Sequence, residues 1–244
     1  GVFDSGIGGL TVVRALMDRL PFEDIVYFGD TARVPYGIKS VATIRRFAGE
    51  IARFLMQRDV KMLIVACNTM AAVADDVVRE CAGEVPVIDV IDAGARAAVA
   101  GSRSRRVGVI GTPTTINSNA YAERIHALDR GVRVYSAACP LFVPLVEEGW
   151  LDHPVARMTA REYLKPVLAE EVDTLVLGCT HYPLLKPLLQ RGRWRRWTGP
   201  STDFPRMARR QVAVSDLAAL APTYPGPVAT GREGSAHHSL HEPG

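Results

Sequence analysis

Apolar residues recur along this chain in two rhythms. Short continuous runs alternate with longer segments in which an apolar residue returns every three or four positions. The runs at Val2-Phe3-Asp4, Ile25–Phe28, Met62–Ala66, Val87–Ile91, Arg106–Ile110, Val132–Tyr135 and Thr174–Leu177 read as short strands. Continuous runs suit strands that are covered on both faces. Between them the spacing predicts helices over about 8–20, 39–58, 69–80, 121–128 and 159–168. In the first, Leu10, Val13, Met17 and Leu20 make one face, and Pro21 ends the helix. In the second, Val41, Ile44, Ala48, Ile51 and Leu55 form an apolar stripe of helical period. The stretch from Gly29 to Ile38 carries Gly, Asp and Pro and reads as a loop. Such alternation of strand and helix predicts an α/β protein with mainly parallel sheets. In that class, ligands sit beyond the carboxyl ends of the strands.

The pattern also repeats. One strand of the first half ends at Asp4-Ser5-Gly6 and a later one at Ala66-Cys67-Asn68-Thr69. In the second half the corresponding ends are Ile110-Gly111-Thr112 and Gly178-Cys179-Thr180-His181. Two copies of one α/β unit, each presenting a cysteine, is the economical reading; chance drift is the alternative.

Composition narrows the function. Hydrophobic residues are 48% and charged residues 23% of 244, ordinary globular usage that excludes a disordered chain or a disulfide-dense mini-protein. The net charge of +3 is too small to point to nucleic acid. Seven arginines and one acid between 191 and 210 carry +6 and leave the remainder at −3, so the excess belongs to one segment. That segment, Arg191 to Trp197 above all, shows neither rhythm, and the stretch from Ala219 has the composition of a tail without regular structure. No apolar run is long enough to span a membrane, and no basic and then apolar leader opens the chain, so a cytoplasmic location is expected. Gly1 already stands in a strand-like run, which reads as a start inside the first strand. The four cysteines show no C-x-x-C spacing and read as free thiols.

Cys67 and Cys179 each directly follow a buried strand, where this fold class places reactive groups. A free cysteine is also a common small core residue, and that reading suffices for Cys81 and Cys139. Two thiols can serve as the paired bases of a racemisation: one removes an α-proton and the other returns one on the opposite face. A thiol titrates near 8.5 and is tuned by its surroundings, so thiol and thiolate coexist near neutral pH. Asp4, Glu147 and His181 are candidates to set those states. Asp4 and Ser5 could equally be helix caps, His181 a cap for the helix near Pro183, and Glu147-Glu148 a solvated helix end. The turn Asp4-Ser5-Gly6-Ile7-Gly8-Gly9 could offer N–H groups to a carboxylate or phosphate, but it matches the dinucleotide fingerprint only loosely. His126 reads as a surface helix residue and His153 as a turn residue. His237, His238 and His241 lie in the tail, where they suit only weak metal binding.

At these motifs the chain resembles the cofactor-independent Asp/Glu racemase family. The resembling stretches are VFDSGIGGLTVV at 2–13, YFGDTARVPYGI at 27–38, VACNTMAA at 65–72, VIGTPTTINSNAY at 109–121, ACPLFVPLVEEG at 138–149 and LGCTHYPL at 177–184. The resemblance implies that Cys67 and Cys179 are the two acid/base thiols, with Asp4 supporting the first and Glu147 and His181 the second. It implies substrate binding by Asp4, Ser5, Tyr36, Gly37, Asn68, Thr69, Thr112, Thr115, Thr180 and His181. It further implies two pseudo-symmetric α/β domains, residues 1–91 with a return at 199–244, and residues 92–198, with the site at their interface. No metal, pyridoxal phosphate, nucleotide or other cofactor is expected, and a homodimer is. His181 after Cys179-Thr180 favours glutamate as substrate, the D-isomer serving peptidoglycan. Aspartate or another amino acid, or amino-acid binding without turnover, are the alternatives.

Overall fold

A computed structural model describes residues 1–191 and 210–213 of the chain. In chain order the elements are β1 (Val2–Asp4), α1 (Leu10–Arg19), β2 (Tyr27–Gly29), α2 (Val41–Met56), β3 (Leu63–Val65), α3 (Asn68–Ala82), β4 (Val87–Asp89) and α4 (Val90–Gly101). Then follow β5 (Arg106–Gly111), α5 (Pro113–Asn117), α6 (Ala120–Leu128), β6 (Arg133–Ala138), α7 (Phe142–Glu147), α8 (Pro154–Leu168) and β7 (Thr174–Gly178). A 3₁₀ turn at Tyr182–Leu185 leads into α9 (Lys186–Arg191), and β8 (Arg210–Ala213) comes last.

The strands form two parallel sheets of the same order, β2-β1-β3-β4 and β6-β5-β7-β8. The echo in the sequence is therefore an echo in topology. In each sheet the two central strands are the ones that end at the singled-out motifs: β1 at Asp4 and β3 before Cys67, β5 before Thr112 and β7 before Cys179. Residues 63–65 and 174–178 are buried throughout, as their unbroken apolar runs require. Residues 210–213 add an edge strand to the second sheet, pairing Thr174 with Arg210 and Leu177 with Ala213. The sequence reading assigned 199–244 to the first unit; the rest of that segment lies outside the described residues, as do 192–198 and the three tail histidines.

The helices depart from their expected faces in one instructive place. In α1 the buried residues are Val12 and Leu16, whereas Leu10 and Met17 are half exposed. The helix has two apolar stripes, and hydrophobicity alone does not choose between them. The turn chooses: the Asp4 carboxylate accepts a hydrogen bond from the Gly9 N–H (3.0 Å), which fixes the helix as it leaves β1. In α2 the expected stripe is buried from Ile44 to Leu55, joined by Phe47 and Ala52, while Val41 at the first turn is exposed. Ser40 caps that helix by accepting from the Thr43 N–H.

Helices α4, α5, α7 and α9 lie outside the helical spans that the spacing predicts, and the caps of α4 and α5 show where the first two begin. The apolar run expected as a strand to Ile91 ends at Asp89, whose side chain accepts from the Asp92 N–H (2.8 Å) and starts α4. Thr112 likewise caps α5 by accepting from the Thr115 N–H. Helix α8 begins five residues earlier than expected because His153 caps it through Nδ1 and Pro154 takes its first turn. Among the described residues the four cysteines are free, and Cys139 is a fully buried core residue. No helix of the described residues is long and apolar enough to cross a membrane.

Candidate active site

The loops at the carboxyl ends of β1, β3, β5 and β7 meet around a cavity of about 290 Å³. All the residues expected to form a site line it except Asp4 and Thr115. The sequence order scatters them, and the doubled sheet topology brings them together. Its apolar wall comes from Val34, Pro35, Ile38, Pro113, Val143 and Pro144, which the sequence reading did not single out as site residues. They carry no chemistry a motif could flag; only the fold shows that these loops face one space.

Cys67 is the N-cap residue of α3 and makes no side-chain cap bond. Its thiol donates to Ser5 Oγ at 3.5 Å. Burial, followed by the nearby Asp4 carboxylate, pushes this thiol up to about 11. Cys179 follows β7 in the other sheet, and its Sγ stands 3.8 Å from His181 Nδ1. His181 Nε2 lies 3.2 Å from Glu147 Oε1. With Nε2–H directed to the carboxylate, Nδ1 is left as an acceptor facing the thiol. Burial also raises the Cys179 thiol, and the Cys67 and Asp4 charges add to the effect. Both shifts favour the thiol over the thiolate.

Asp4 does not reach the cavity. Its fully buried carboxylate turns back under the loop, accepting from the Gly6 (3.1 Å) and Gly9 (3.0 Å) N–H groups and from Thr180 Oγ1 at 3.4 Å. In this arrangement three donors hold the carboxylate that the sequence reading expected at the substrate. Burial raises its pKa, while those N–H groups and His181 oppose the rise. Thr115 stands behind Thr112 in a cluster of hydroxyls, with Thr69–Thr112 and Thr112–Thr115 both 3.0 Å apart.

Tyr36 is buried at the cavity wall with its hydroxyl on Asp30, which Arg33 Nε also approaches at 2.6 Å. Asp30 was missed because it sits in a polar loop; its burial is visible only in the fold. Asn68 is 2% exposed, and its Nδ2 has no hydrogen-bond partner among the described residues. Such a donor, beside the N-terminus of a fifteen-residue helix, suits a carboxylate. Among the described residues no group of three or more His, Cys, Asp or Glu side chains is placed to hold a metal ion.

The two halves of the site touch closely. Thr11 Oγ1 donates to the Thr180 carbonyl (3.2 Å), and Thr114 Oγ1 to the Gly37 carbonyl (2.9 Å). A Cβ at Gly8 would stand 2.5 Å from Thr180 Oγ1 and 2.7 Å from His181 Nδ1. One at Gly37 would stand 2.8 Å from Thr112 Cβ. Only glycine permits either approach.

Comparison with known proteins agrees with this geometry. The sequence model of Asp/Glu/Hydantoin racemase matches residues 10–193. A glutamate racemase of Syntrophus aciditrophicus is 72% identical over 190 residues, which are 78% of this chain and 70% of that protein. The crystal structure of a glutamate racemase from Francisella tularensis in complex with D-glutamate superposes with a TM-score of 0.73 at 52% identity, covering 77% of this chain and 70% of that one. A glutamate racemase isoform from Bacillus anthracis superposes with a TM-score of 0.80 at 39% identity, over 91% of this chain and 79% of that one. The motifs, the doubled parallel sheets and these matches agree: the chain belongs to the Asp/Glu/Hydantoin racemase family.

Proposed function

We propose that this chain interconverts L- and D-glutamate by a two-thiol mechanism, without a cofactor. The carrying observation is that Cys67 and Cys179, delivered by different sheets, line one small cavity. In one direction a thiolate takes the α-proton. The electron pair left on the α-carbon spreads into the attached carboxylate, and the other thiol gives its proton to the opposite face. The C–H bond broken is matched by the C–H bond made, and nothing is oxidised or reduced. Two such positioned groups are each worth about 10²–10⁴-fold.

Both thiols are held neutral by burial, so one must lose its proton before turnover. The substrate ammonium favours that loss by adding positive charge beside the sulfur. On the Cys179 side His181, backed by Glu147, is within reach to take the proton. Asn68, Thr69, Thr112 and Thr180 offer donors to the two carboxylates, and Ser5 and Tyr36 complete the wall. Asp4 acts from beneath, holding the Ser5–Gly9 turn and Thr180 in place.

Names among the relatives support glutamate as the substrate. The D-glutamate formed would supply peptidoglycan, and a cytoplasmic homodimer follows from the family resemblance. The two sheets suggest one domain over residues 1–91 and a second from residue 92 that takes in the strand at 210–213. Incubation with L-glutamate in D₂O should give α-deuteration together with loss of optical rotation. Folded protein that binds glutamate but shows no exchange would sink the racemase reading in favour of a binding protein, and a panel including aspartate tests the substrate.

A further inference from the structure

We propose that Tyr121 is a positioning residue for the substrate. Its hydroxyl locks the Asn68 amide so that Nδ2 faces the cavity and donates to the carboxylate on the reacting carbon. This rests on the racemase reading of the same cavity.

Tyr121 is the second residue of α6, directly after Asn119, whose left-handed backbone (φ 58°) turns the chain into that helix. The side chain is 2% exposed, and its hydroxyl donates to Asn68 Oδ1 at 2.7 Å. An amide has an accepting end and a donating end. Tyr121 occupies the accepting end, and the donating end is the buried Nδ2, which has no partner among the described residues, on a residue that lines the cavity. A carboxylate arriving there satisfies it. A flipped amide would instead present oxygen to oxygen. Asn68 directly follows Cys67, so the carboxylate within its reach is the one attached to the carbon on which Cys67 acts.

The ring of Tyr121 reaches the second thiol's strand as well. A Cβ on Gly178, the residue before Cys179, would lie 3.0 Å from Tyr121 Cε2, and one on Gly94 3.0 Å from its Cε1. One side chain thus bonds to the residue after the first thiol and abuts the residue before the second.

The test is a double-mutant cycle on the full chain. Tyr121→Phe keeps the ring and removes the hydroxyl; kcat/KM for both enantiomers should fall about tenfold, the effect of one lost hydrogen bond to a ligand-binding group. In an Asn68→Ala background the same change should cost less than about twofold, because the partner is gone. Equal losses in both backgrounds overturn the proposal. Asn68→Asp keeps the oxygen that receives the Tyr121 hydroxyl and replaces the donor with oxygen. D-Glutamate affinity, read by calorimetry, should fall at least about tenfold; unchanged affinity overturns the proposal even where Tyr121→Phe does not fold. Wild-type turnover in the same assay separates the two readings. An active wild type with unaltered Tyr121→Phe overturns only the role of Tyr121. A wild type that neither exchanges nor binds glutamate overturns the racemase reading and this inference with it.

Discussion

Cys67 and Cys179 occupy equivalent places in two sheets of identical strand order, yet their neighbours differ. Cys67 has a serine hydroxyl at 3.5 Å and a buried carboxylate close enough to push its pKa up. Cys179 has an imidazole at 3.8 Å that is itself backed by Glu147. Repetition supplied two thiols; the surrounding loops gave them different routes for a proton. The Cys179 side can pass its proton to a chain of side chains. Among the described residues the Cys67 side has a hydroxyl and no base in hydrogen-bonding reach, so on the two-thiol reading it depends on the charge of the arriving substrate.

The largest effect should come from removing either sulfur. Cys67→Ala and Cys179→Ala should each lower racemisation by about 10³-fold or more, since each deletes one of two obligatory proton carriers. Polarimetry on both enantiomers checks this, and a variant that keeps near-normal turnover would break the two-thiol comparison. The next effect separates the two sides. His181→Gln should cost about 10²-fold in kcat. Ser5→Ala should cost only about threefold, because a hydroxyl near a thiol contributes one weak hydrogen bond. Equal losses would mean that the sides are functionally alike after all. Glu147→Gln should fall between them, about tenfold in kcat with little change in KM. Glu147 is half exposed and orients His181 through a bond partly open to water.

The smallest effect concerns stability. The Cys67 thiol titrates at about 11 in the fold against 9.0 ordinarily. Its contribution is fully present below pH 9.0 and is lost as pH rises toward 11, because the unfolded chain ionises first. At pH 10 the loss is about 1 kcal/mol. Cys67→Ala should therefore show a shallower fall in urea midpoint between pH 8 and pH 10 than the wild type. An identical slope would show that this thiol is not desolvated as described.

Much of this was legible before any fold was known. The unbroken runs at 62–66 and 174–177 marked buried strands, and the cysteines that follow them marked the site. What periodicity could not settle was rotation. Helix α1 offers two apolar stripes, and a single bond from Gly9 to Asp4 selects Val12 and Leu16 for burial. Nor could it separate a strand from the helix that continues it: Val87 to Ile91 is one apolar run, divided only by the capping bond of Asp89. In the site the motif residues were found, but their depth was not. Asp4 reads in the sequence as a substrate ligand or a cap, and its carboxylate lies under the turn, because its partners Gly6 and Gly9 are backbone donors that no pattern of side chains reveals. Tyr121 and Asp30 escaped for the same reason, as residues that act through others.

The glycines at 8 and 37 bear on tolerances. At both places the first unit rests on the second with hydrogen where any other residue would carry carbon. They work as shims of zero thickness, one beneath the Thr180-His181 loop and one beneath Thr112. On the two-thiol reading, the gap across which a proton is lifted from one face and returned to the other is thus gauged by what is missing from the chain. A methyl group at Gly8 would widen that gap on the Cys179 side, with every acid and base still in place.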